Sequence, residues 1–130
     1  MRMSEDSPRV LGLARRDWAV AALVLVILAA VAALLPPRGT PGLQIADLGE
    51  SWALLLHGLG YAFLAFCAML GQRYPRGGRT AMAPIIYGVV LELLQGLGGV
   101  RSPQIVDALA NAAGVGAGVW VAVLVVRSRA

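Results

Sequence analysis

Ile105-Val-Asp-Ala-Leu-Ala-Asn-Ala-Ala-Gly114-Val-Gly-Ala-Gly118-Val-Trp-Val-Ala-Val-Leu-Val-Val126 decides the fold. It is near the roughly 20 apolar residues that one membrane-spanning helix needs. Yet it holds Asp107 and Asn111. A second stretch, Gly88-Val-Val-Leu-Glu-Leu-Leu-Gln95, places Glu92 in equally apolar surroundings. A charge at mid-membrane depth costs about 2.5–3.5 kcal/mol on insertion scales, and chains that carry one generally use it. Glu92 and Asp107 are therefore the first pointer to function.

Three further runs lie outward from this stretch: Trp18 to Leu35, ended by Pro36-Pro37; Trp52 to Leu70; and Ala81 to Leu97, ended by Gly98-Gly99. Hydrophobic residues make up 58% of the chain and charged residues 14%. An ordinary soluble domain carries about 25% charged residues, so the composition is that of a membrane protein. The expected fold is an all-α integral membrane bundle of four transmembrane helices, at about 18–35, 48–71, 81–97 and 103–126. A tail of residues 1–17 precedes the domain of 18–126, and residues 127–130 follow it. No internal repeat, heptad series or low-complexity tail is present. Arg15-Arg16 and Ala30-Val-Ala32 imitate parts of a signal peptide, but the run between them is long for one. It reads as the first span.

The boundaries carry helix signals. Asp47-Leu-Gly-Glu50 has the spacing of a capping box opening the second helix. Ser102-Pro103 reads as an N-cap and first-turn proline for the fourth. Gly98-Gly99 suits a left-handed turn after the third. The basic residues are all Arg, and the net charge is +4. Arg2, Arg9, Arg15 and Arg16 precede the first run, Arg73, Arg76 and Arg79 lie between the second and third, and Arg127 and Arg129 end the chain. The other two loops hold only Arg38 and Arg101. The positive-inside rule then puts both termini in the cytoplasm of a cell inner (plasma) membrane protein. These arginines form no basic stripe on a polar surface, which argues against a nucleic-acid partner. The single cysteine, Cys67, excludes an internal disulfide.

The polar residues inside the runs fall in one leaflet. With a rise of about 1.5 Å per residue, His57 lies roughly 14 Å below the outer start of its helix. Glu92 lies roughly 9 Å below the outer end of the third helix, and Asp107 and Asn111 roughly 6 and 12 Å down the fourth. His57 and Tyr61 share a helix face at i and i+4, as Glu92 and Gln95 do at i and i+3. Asp107, Asn111, Gly114 and Gly118 form one stripe, and its glycines permit close helix approach. That stripe should face the bundle and carry both polar residues inward. Glu92 should then pair with His57, Arg101 or Asn111, because an unpaired buried carboxylate is costly.

These residues resemble the VanZ-like family of small bacterial membrane proteins. The resemblance rests on His57-Gly-Leu-Gly-Tyr61, Glu92-Leu-Leu-Gln95, and Arg101-Ser102 followed by Asp107, Asn111 and Gly114. It covers about residues 47 to 126. The family often has Asp-Lys four and three residues before the His; this chain has Ala53 and Leu54 there. The resemblance implies an integral protein of the cell envelope. The family's named member is associated with low-level resistance to the glycopeptide teicoplanin.

Three functions compete at this stage. In a lipid-handling module, an outward polar site would hold the head group of a membrane lipid, a lipid-linked envelope precursor or a lipoglycopeptide. Arg101 would contact its anionic group, and Tyr61, Gln95 and Asn111 would supply neutral hydrogen bonds. In an intramembrane enzyme, His57, Glu92 and Asp107 would be the candidate catalytic acid–base groups, with Arg101 stabilising developing negative charge. No nucleophile with an assigned base is evident, since Ser51 and Ser102 read as caps. In a structural subunit the polar set would only lock the helices together. His57, Glu92 and Asp107 lack specific metal-ligand spacing, so neither a metal nor another cofactor is expected.

Overall fold

The computed structural model describes residues 9–34, 49–72, 76–98 and 105–129, with 49–53 given by backbone alone. They form four helices, α1 (Arg15–Leu34), α2 (Gly49–Gly71), α3 (Gly77–Leu97) and α4 (Ile105–Arg127). Each helix contains a segment long and apolar enough to cross a bilayer, with mean hydropathy 2.5, 1.8, 1.5 and 2.0 in chain order. The chain is an all-α, multi-pass four-helix bundle.

Three boundaries differ from the sequence reading, the first being that of α1, which begins at Arg15, ahead of its apolar run, and so takes in the end of the expected tail. α3 begins at Gly77, ahead of its apolar run, and so takes Arg79 into its first turn. Hydropathy marks only the lipid-immersed part of a helix, whereas backbone hydrogen bonding continues beyond it. Gly98 stays right-handed at φ −78°, and its N–H closes the helix on the Leu94 carbonyl at 2.9 Å. The left-handed turn expected here is absent at Gly98, and Gly99 lies outside the described residues. So do the proposed caps at Asp47 and Ser102-Pro103.

The bundle is built inside out relative to a soluble protein. Its fully buried positions are small or polar: Ala65, Cys67, Val115, Ala122 and Asp107. Leu97, Leu109 and Trp120 are exposed. Lipid solvates such side chains as well as a core would, so association depends on close packing and polar contacts. α2 and α4 make the most extensive pairing. They run parallel, with Gly114 against Gly58 and Gly118 against Ala62. A Cβ on Gly114 would overlap the Gly58 carbonyl, and one on Gly118 the Ala62 carbonyl. The glycine stripe therefore faces the bundle, as its spacing implied.

α1 is held differently. Trp18 is its one buried residue. The indole packs edge-on against Phe66, with ring centroids 5.6 Å apart, and its N–H donates to the Val10 carbonyl at 3.2 Å. Val10 and Leu13 close a tight turn through Leu11 and Gly12, both at positive φ. Asp17 accepts the Ala14 N–H at 2.9 Å, which caps the first turn of α1.

Candidate functional site

A cavity of about 440 Å³ opens between the helices. α2 contributes His57, Gly60 and Tyr61; α3 contributes Gly88, Leu91, Glu92 and Gln95; α4 contributes Asn111. The fourth wall is α1, through Leu25, Leu28, Ala29, Ala32 and Ala33. Helical geometry explains the convergence. Gly88, Leu91, Glu92 and Gln95 recur at spacings of three and four and so share one face of α3. Gly88 leaves room for Tyr61, whose hydroxyl would sit 3.1 Å from a Cβ at that position.

The polar lining is unevenly satisfied. Gln95 Nε2 donates to the Ala33 carbonyl at 2.8 Å. Ala33 lies in the last turn of α1, where carbonyls lack intrahelical partners. Gln95 is thus first a tie between α3 and α1, and only its remaining amide capacity is left for a ligand. Asn111 is 3% exposed, and its Oδ1 has no hydrogen-bond partner among the described residues. Glu92 is buried and lies within electrostatic reach of Tyr61. No hydrogen bond joins Glu92 to His57 or Asn111 among the described residues.

Five of the seven residues singled out from sequence line the cavity: His57, Tyr61, Glu92, Gln95 and Asn111. Asp107 is buried in the first turn of α4 but does not line it. The positive helix end favours a carboxylate there. Arg101 lies outside the described residues. Among those residues, no three His, Cys, Asp or Glu side chains are grouped as metal ligands would be.

Sequence reasoning missed the α1 wall and Tyr87. The Tyr87 hydroxyl donates to the Val26 carbonyl and braces α3 against α1. A lone tyrosine in an apolar run was the available signal, because a buried hydroxyl needs a partner. Tyr87→Phe is expected to cost about 0.5–1.5 kcal/mol, the net worth of a typical hydrogen bond. Thermal melting in detergent would register it, and an unchanged melting temperature would show that the bond contributes nothing.

The cavity suits an amphiphile. Side-chain donors and acceptors gather on α2, α3 and α4, while every α1 side chain in the lining is apolar. Its volume falls within the roughly 300–1,000 Å³ usual for small-molecule sites. Comparisons with family models, with curated proteins and with solved structures found no match.

Proposed function

We propose that this chain is a VanZ-like integral membrane protein of the bacterial cell envelope that binds the head group of an amphiphilic lipid. The occupant would be a membrane lipid, a lipid-linked envelope precursor or a lipoglycopeptide. One observation carries this reading: polar residues from three helices line one cavity, and the Asn111 carbonyl oxygen there is buried without a partner among the described residues. Buried acceptors are nearly always satisfied in folded proteins. A bound hydroxyl, amide or ammonium would satisfy this one. A bundle whose polar groups served only as glue would close on them instead.

A second reading has support in His57 and Glu92, which line the same cavity. Such a pair can perform acid–base chemistry on a bound head group. Asp107, away from the lining, would then have a structural part.

Teicoplanin sensitivity in the native host provides a functional readout. His57→Ala and Arg101→Ala should abolish any protection while protein level and melting stay near wild type. If both variants fold and protect fully, the site reading loses to the structural one.

In the proposed topology the inner membrane holds the bundle with both termini cytoplasmic, which puts the His57 cavity in the outer leaflet. A cysteine at Arg76 in a Cys67→Ala background should resist membrane-impermeant thiol reagents in intact cells. Labelling there from outside would reverse the topology.

A further inference from the structure

A second groove, of about 800 Å³, lies between α1 and α3 at the opposite end of the bundle, where α3 begins. Leu64 lines both this groove and the His57 cavity, and the Tyr87 bond to Val26 stands between them. Apart from Leu64, the two are lined by different residues.

The groove has an apolar body and a cationic mouth. Leu23 and Val26 of α1 and Ala83 and Pro84 of α3 form the body. Arg76, the N-cap residue of α3, and Arg79, in the first turn of that helix, stand at the mouth. Among the described residues, no acidic residue lines the groove. Between Arg79 and Tyr87 the helix rises roughly 12 Å, so the charged end and the apolar floor are well separated. Thr80 is buried at the mouth and donates to Gln72 Oε1 at 3.1 Å, which fixes that edge.

From this charge complementarity we propose that the groove binds an anionic phospholipid of the surrounding leaflet. The phosphate lies between the Arg76 and Arg79 guanidinium groups, and an acyl chain lies along the α1–α3 floor. A guanidinium matches phosphate geometry through paired N–H donors. Arg79 starts from a helix end that no side chain caps, so the first backbone N–H groups of α3 add to the anionic preference of the mouth. This site does not depend on the reading of the His57 cavity.

The test uses the full chain in neutral detergent, titrated with phosphatidylglycerol, phosphatidylcholine or inorganic phosphate while melting is followed. Phosphatidylglycerol should raise the melting temperature saturably, and the other two should not. Arg76→Gln with Arg79→Gln should weaken the phosphatidylglycerol effect about 30-fold. Arg127→Gln with Arg129→Gln, at the same end of the bundle but outside the groove, should leave it intact, as should Glu92→Gln. Equal responses in the two double-arginine variants would mean general attraction to negative charge and would overturn the proposal. A response to inorganic phosphate matching that to the lipid would overturn the lipid assignment. Should the Arg76/Arg79 variant lose its fold, native mass spectrometry of Arg79→Gln alone decides. Retention of phosphatidylglycerol at the wild-type level would then count against the site.

Discussion

Gly114→Ala combined with Gly118→Ala is expected to force α2 and α4 apart and to lower the melting temperature in detergent more than any substitution in the cavity. The reason is steric. Each added methyl would meet a backbone carbonyl, that of Gly58 or of Ala62, and neither can rotate away. Overpacking typically costs about 1–3 kcal/mol, and rigid backbone on the far side puts each substitution near the top of that range. Separation would also remove the C–H···O contacts that close helix approach permits. Gly116→Ala is the internal control, because its Cβ would enter open space. There alanine should be neutral or stabilising by up to about 1 kcal/mol, through its better helix propensity. If the double variant melts with the control, the close α2–α4 approach is not what holds the bundle.

Asn111→Leu is expected to raise the melting temperature of the lipid-free protein while removing its ability to hold a ligand. The two side chains are similar in size. Leucine carries no carbonyl, so the variant avoids the cost of a buried acceptor that has no partner among the described residues, about 1–3 kcal/mol. If Asn111 were interhelical glue, the same change would lower stability by about 0.6 kcal/mol. The two accounts therefore differ in sign. A variant that melts lower and loses function only in proportion to that loss would favour the structural subunit.

The four spans were legible because run length and hydropathy report directly on the bilayer. The inward polar face was legible because i, i+3 and i, i+4 spacing fixes which side chains share a face, as for His57 with Tyr61 and Glu92 with Gln95. The glycine stripe on α4 was visible too, but nothing in it named α2 as the neighbour. α1 gave no sign of lining a site, since its uniformly apolar run has no polar residue to mark a face. Asp107 shares a stripe with Asn111 yet sits roughly 6 Å further along the axis, and the cavity stops short of it. Spacing fixes a face but not how far along the axis a void extends. The pairing expected for Glu92 rested on the cost of burying a charge. That argument requires a partner but does not require the partner to come from His57 or Asn111.

Lipid mass spectrometry on protein purified in mild detergent, wild type beside Glu92→Gln, tests the central claim most directly. Glutamine keeps the shape of the site and removes its charge. Besides the phosphatidylglycerol proposed for the Arg76–Arg79 groove, the wild type should carry one further amphiphile class well above its abundance in the membrane, and Glu92→Gln should lose that further class alone with its melting temperature unchanged. The same lipid profile in both proteins would contradict a ligand site in the cavity, whatever the groove retains.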